Sequence, residues 1–246
     1  MVFIKWLVLA FLSLVLGVLV VRFLTVHPTR MNWYLLATCA VLFVLLVALV
    51  IGFRGKALLL AIPLSLALFL AGYVLMTQSF LAREDPRPVP ELTRAADDPG
   101  LGHTAVVYFT HGEPETYDPI GWINQFNEFD EHGIGFVPLL ARPIFVHQLR
   151  YKYLEVGRSG HRDKHAQMVN RLEEAFRAEG DMTTKFYLSF LDDDPRPDAA
   201  VIQALNEGAS RIIVSEVFLT ISNHTAEGEE LIEELIVEEE LGVPVL

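Results

Sequence analysis

The first 82 residues contain no aspartate and no glutamate. Their only charged side chains are Lys5, Arg22, Arg30, Arg54 and Lys56. All 31 acidic residues of the 246-residue chain lie from Glu84 onward, so a weakly basic, apolar part precedes a strongly acidic one. The whole chain carries a net charge of −12, and the part after residue 82, with 14 basic and 31 acidic residues, carries −17; the chain lacks the basic footprint of a nucleic-acid binder. The balance fits a soluble acidic domain, or one that handles cations; plain solubility is the simpler reading. Cysteine is almost absent: Cys39 alone, inside an apolar run. An intramolecular disulfide is excluded, as are a thiolate metal site and a cysteine nucleophile in the acidic part. There is also no glycine-rich phosphate loop, no Gly-x-Ser-x-Gly elbow and no Cys–His pair. Nucleotide hydrolysis and acyl transfer drop out with them, and no nucleotide cofactor is expected.

What the first part does contain is three long apolar runs, Val2–Leu24, Met31–Phe53 and Ala57–Leu81. Each is about the ~20 residues that a helix needs to cross a bilayer. The first is too long for a signal peptide, has no small-x-small cleavage site and runs on into two more apolar segments. Residues 1–82 therefore read as a transmembrane region with helices at about 2–24, 31–53 and 57–81, and with the lipid bilayer as its partner. Trp6, Trp33 and Tyr34 are candidate interface anchors. Lys5, Arg54 and Lys56 fall on one side, and Arg22, Arg30, Arg83 and Arg87 on the other. That margin does not decide the orientation; the working expectation is an inner- or plasma-membrane protein with its soluble domain in the cytoplasm.

Residues 83–103 are rich in proline and read as an extended linker. From residue 104 to 246 the pattern alternates. Strands are expected at Thr104–Thr110, Thr184–Phe190 and Arg211–Leu219, with a fourth starting at Val243. Helices are expected at Ile120–Asp130, Pro143–Leu154, His161–Glu179, Pro197–Glu207 (with Gly208 as C-cap) and Thr225–Glu239. Strands separated by helices imply βαβ units and a parallel sheet flanked by helices. The fold class is thus α/β, preceded by three transmembrane α-helices. Because the chain stops as the fourth strand begins, its C-terminal part is expected to be missing, a naturally short protein being the alternative.

Two histidines each follow a predicted strand. His111 closes Thr104-Ala-Val-Val-Tyr-Phe-Thr-His111-Gly112-Glu113-Pro, and His224 closes Arg211-Ile-Ile-Val-Ser-Glu-Val-Phe-Leu-Thr-Ile-Ser-Asn223-His224. Residues just past the carboxyl ends of parallel strands line the ligand crevice, so the pair can meet at one metal. Neutral imidazole suits Fe²⁺, Co²⁺ and Ni²⁺. Glu113 and Glu227 are the nearby carboxylates, as proton acceptor or third ligand. A turn histidine bonded to backbone is the plainer reading of His111, and a helix-cap residue that of His224 and Asn223. His161 and His165 stand at i, i+4 on one predicted helix face, a chelating spacing. Tyr117, Trp122, Phe145 and Tyr151 are large enough to stack on a flat ligand, though core packing is the first reading of them. Asp192-Asp193-Asp194-Pro, after the second strand, resembles a cation site but reads first as a helix-start turn, and the run of glutamates from Glu227 to Glu240 reads as a solvated helix face.

In order and spacing, these segments resemble the N-terminal half of the class II tetrapyrrole chelatases, the ferrochelatases and the small sirohydrochlorin cobalt and nickel chelatases. Val107-Tyr-Phe-Thr-His111-Gly112-Glu113-Pro114 resembles the family's first strand and glycine turn. Gly157-Arg-Ser159-Gly160-His161-Arg-Asp-Lys-His165-Ala-Gln is similar to its glycine-serine loop and following helix. Lys185-Phe-Tyr187-Leu-Ser-Phe resembles the second strand, and Val217-Phe218-Leu219-Thr-Ile-Ser-Asn223-His224 the third strand with its second histidine. The resemblance spans residues 103–246. It implies a chelatase-like half-domain that inserts a divalent metal, Fe²⁺ first and Co²⁺ or Ni²⁺ next, into a tetrapyrrole. It implies metal ligation by His111 and His224, catalysis by those two with Glu113 and Glu227, and a ring crevice lined by Gly112, Tyr117, Ser159, His161 and Asn223. Two departures stand out: the membrane region is outside the family pattern, and the second half of ferrochelatase is absent. They leave a small-chelatase arrangement, a homodimer or a truncated chain. The alternative function is a non-catalytic haem- or metal-binding or regulatory membrane protein that keeps the fold.

Overall fold

The computed structural model describes the chain apart from residues 1, 84–88, 96, 97, 132, 134, 136 and 219–222, and apart from the side chains at 124, 128, 131, 223–225 and 227. The chain forms two compact units, one of residues 1–84 with 117–156 and one of residues 85–116 with 157–246.

The first unit is helical. Helices α1 (Val2–Thr25), α2 (Met31–Ile51) and α3 (Lys56–Leu81) are each long and apolar enough to cross a membrane. Most of their large apolar side chains, Phe3, Phe11, Val44 and Leu60 among them, are exposed, as expected of a surface meant for lipid rather than water. The buried stripe of α1 runs Leu9, Ser13, Leu16, Gly17, Val21 and Thr25, and that of α3 includes Ala61, Gly72, Tyr73, Thr77 and Phe80. Gly17 meets the Phe69 backbone and Gly72 meets the Leu14 backbone so closely that neither site has room for a Cβ. Between lipid-embedded helices, small residues of this kind set how near the backbones come.

Helix α4 (Pro119–Glu131), a 3₁₀ turn (Leu139–Ala141) and helix α5 (Arg142–Val156) complete the unit. Their apolar face, Phe126, Val146 and Tyr153, packs with Tyr117 just before α4, with Val137 and with Leu81 at the end of α3. Tyr73 Oη donates to the Leu140 carbonyl at 2.9 Å, and Asn127 Nδ2 to that of Leu81 at 3.0 Å. The boundary read from sequence kept 104–246 together; the structure groups 117–156 with the apolar helices. The physical reason is this apolar face, which finds its burial on the ends of those helices.

The second unit is an α/β layer structure. Strands β1 (His103–Thr110), β2 (Lys185–Phe190) and β3 (Ala209–Val217) form a parallel sheet in the order β2-β1-β3. Ala105 pairs with Lys185 and Thr110 with Phe190 on one side; Thr104 pairs with Arg211 and Thr110 with Val217 on the other. Val245 adds a parallel bridge to Ile212 on the outer side of β3, where a fourth strand was expected. Helix α6 (His161–Ala178) covers one face, its Phe176 and His165 meeting Phe186 and Tyr108. Helices α7 (Pro197–Asn206) and α8 (Asn223–Glu238) cover the other, where Ala105, Val107, Ile212, Val201, Leu205 and Ile232 form the main core. The alternation along β1 decides which side chains go where: Val107 and Phe109 face α7 and α8, and Tyr108 faces α6. A parallel sheet buried on both faces explains why its strands read as nearly continuous apolar runs.

Candidate functional site at the strand ends

With β1 in the middle, the chain leaves it toward β2 and later returns to its other side as β3. That reversal makes the carboxyl ends of β1 and β3 the switch point, where such sheets hold ligands. His111 is the first residue past β1, and Phe218 the first past β3; their rings meet edge to face with centroids 5.3 Å apart. His111 does not turn into the core: its side chain is half exposed (49%).

His111 is held from behind. Its Nδ1 lies 3.1 Å from Oδ2 of Asp192, whose side chain is only 7% exposed. Gly112 makes this pairing reachable, because a Cβ there would collide with the backbone of Asp192 and Asp193. Only glycine lets the turn after β1 lie directly on the turn after β2. The bond to a carboxylate assigns the neutral ring its tautomer: Nδ1 carries the proton and Nε2 the lone pair. Asp193 points the other way and takes Arg162 Nη2 at 2.7 Å and Nε at 3.2 Å; the guanidinium also sits over the Phe190 ring. The sequence reading took Asp192–Asp194 first as a helix-start turn. In the structure the segment is a bend that leads into α7, and Asp192 and Asp193 are also the anionic partners of a histidine and an arginine.

The rest of the expected constellation is partly assembled. Glu113 Oε2 accepts from Ser159 Oγ at 2.5 Å, and Ser159 Oγ accepts from His161 N at 3.1 Å. Arg158 bridges Glu115 (2.7 Å) and Asp163 (2.6 Å), so the turn after β1 is clasped to the start of α6. The His161 and His165 rings lie 4.4 Å apart between centroids, tilted by 38°, and Tyr108 Oη lies 3.2 Å from His165 Nδ1. Burial, above all, holds both imidazoles below the usual range. Glu113 pulls His161 back up and His111 pushes it down, while His161 is the second cause for His165. Both rings are therefore neutral at pH 7.

The sign of the pH effect follows. The folded pKa values lie below the unfolded value of roughly 6.5, so the unfolded chain binds protons first. Stability present above that value is lost as the pH falls through the folded values. His161→Gln should raise the midpoint of His165 toward, but not up to, the unfolded value. Proton NMR of the imidazole resonances reads this directly, and an unmoved midpoint would mean that the two rings do not interact.

Tyr117 belongs to the other unit. Its buried ring packs near Tyr153 and His27 in the helical core, and burial pushes its phenol well above the usual range. That packing accounts for its burial. Asn223, His224 and Glu227 lie at the start of α8; their side chains fall outside those described. Among the described residues, no group of three or more His, Cys, Asp or Glu side chains is placed to hold a metal. Arg162 was not singled out from sequence, and Asp192 was named there only within a candidate cation site or turn, not as the partner of His111. Asp192 was findable by the same strand-end rule that picked out His111, since it stands two residues past β2. No protein-family model, curated protein or solved structure matches this chain.

Proposed function

We propose that this chain is a membrane-anchored chelatase-like protein that inserts a divalent metal into a tetrapyrrole, with Fe²⁺ as the first candidate and Co²⁺ or Ni²⁺ next. The observation that carries this reading is His111, half exposed at the switch point and backed by the buried carboxylate of Asp192. Insertion exchanges two pyrrole N–H protons for one M²⁺, so the site must accept protons and handle a cation. Imidazole with Nδ1–H bonded to a carboxylate presents a basic Nε2 that serves either need, and the carboxylate steadies the imidazolium that forms. Glu113, two residues on, is the nearest expected proton acceptor. Neutral His161 and His165, with the Tyr108 hydroxyl on His165, extend the proton-accepting set along α6. His224 and Glu227 complete the proposed set from the start of α8. Metal and ring are both substrates, and no nucleotide takes part.

The membrane reading rests on α1–α3. An anchored chain would work with a bilayer that dissolves apolar porphyrins, and the α/β unit is proposed to lie in the cytoplasm at an inner or plasma membrane.

The test is anaerobic incubation of the full chain in detergent with a free tetrapyrrole and each of Fe²⁺, Co²⁺ and Ni²⁺, followed by the absorbance bands of the metallated ring. Turnover above the uncatalysed rate with one metal preferred supports a chelatase. Tight ring binding with no insertion of any metal would replace it by a binding module on the same fold.

A further inference from the structure

Arg150, on α5, is the most deeply buried cation of the helical unit, with 3% of its surface exposed. No described carboxylate lies within ion-pair distance of it. Its neighbours are neutral: the carbonyls of Phe23 (3.4 Å) and Val26 (3.5 Å), His147 Nε2 (3.4 Å) and the rings of Phe23 and Tyr151. The Asn32 amide, turned with its oxygen toward Nη1, adds one contact at 3.0 Å. The Nε–H is buried with no acceptor. Burial first, and the Arg150 charge second, hold His147 below the usual range, so it is an acceptor rather than a second cation. A buried guanidinium served only by neutral groups is still short of an anion.

Arg150 also lines an open pocket of about 380 Å³. Arg30, Asn32, Trp33, Tyr151 and Leu154 share its wall. Arg30 is exposed and immediately precedes α2, so the first turn of that helix adds its partial positive charge to those of two arginines. The pocket lies where α1 ends and α2 begins. If the helices cross a bilayer, that is the depth of the headgroups. Exposed Trp33 and Tyr151 are the side chains that favour that depth, and Leu36 and Leu154 supply an apolar wall beside the cations.

We propose that this pocket holds the phosphate of one anionic phospholipid, with Arg150 and Arg30 on the headgroup and the acyl chains along Trp33, Leu36 and Leu154. Its occupancy ties α5 to the junction of α1 and α2.

The test is retention of lipid by the full chain, purified from micelles containing equal phosphatidylglycerol and phosphatidylcholine and weighed by native mass spectrometry. The expected result is one phosphatidylglycerol retained in at least tenfold preference to phosphatidylcholine. That preference should vanish in Arg150→Gln and fall several-fold in Arg30→Gln. Because Arg30 is exposed, its variant keeps the test meaningful if the Arg150 variant does not fold. Equal retention of the two lipids, or a preference untouched by Arg30→Gln, would overturn the proposal. A third arm adds millimolar inorganic phosphate: unchanged lipid retention supports a lipid site, and displacement of the lipid by phosphate would make it a site for free anions instead.

Discussion

Leucine in place of Gly17 or Gly72 should lower the thermal midpoint of the helical unit by roughly 6–12 °C. At each position a Cβ would penetrate a backbone carbonyl of the facing helix, Phe69 for Gly17 and Leu14 for Gly72. The obstacle is main chain, so no rotamer change relieves it, and α1 must move away from α3. Overpacking of a close interface costs about 1–3 kcal/mol and occasionally more. At the upper end, for a chain of this size, each kcal/mol moves the midpoint by about 2–4 °C. Circular dichroism of the full chain in detergent reads the loss, with alanine at each position expected to give a smaller drop than leucine. A leucine variant that melts with the wild type would mean that the two backbones do not touch there.

Asparagine in place of Asp192 should lower metal insertion by about 10–100-fold, the usual loss when a residue that orients a ligand or base is removed. The volume hardly changes, so the contact with the turn after β1 survives and the fold should melt as before. What changes is the charge behind His111. An amide no longer steadies the imidazolium, and it can present its N–H₂ to Nδ1, which would shift the ring proton to Nε2, the nitrogen the proposed chemistry needs as a base. The effect should appear in kcat with little change in the KM for the ring. Equal rates in Asp192→Asn and wild type would remove Asp192 from the proposed mechanism.

These two predictions draw on features of very different visibility in the sequence. The apolar runs, the three strands and the helices between them were legible because their periodicities are strong and uninterrupted: α1 and β1 start and stop within two residues of where hydrophobicity places them. His111 was legible by its place just past a buried strand. The Gly17 contact had a local signal, Ser13 and Gly17 four apart on one face, but the Phe69 backbone that it meets lies 52 residues away and only helix packing joins them. Asp192 and His111 are likewise distant in sequence, and what joins them is the parallel pairing of β1 with β2 and the missing side chain of Gly112. The grouping of 117–156 with the apolar helices was hidden for a related reason. An amphipathic face shows that something will cover it, and not what. Arg150 carried no sequence signal at all, because nothing local distinguishes a buried arginine from a solvated one.

The most direct test of the central claim is the rate of metal insertion by His111→Ala beside that of the wild type. Both would be prepared as full chains in the same detergent and assayed anaerobically with the metal that the wild type prefers. Loss of a general base or a metal-holding imidazole predicts a fall of about 10²–10⁴-fold, with the thermal midpoint close to that of the wild type because the side chain is half exposed. Insertion by His111→Ala at the wild-type rate would contradict the account, and would leave the histidine at the end of β1 as a turn residue.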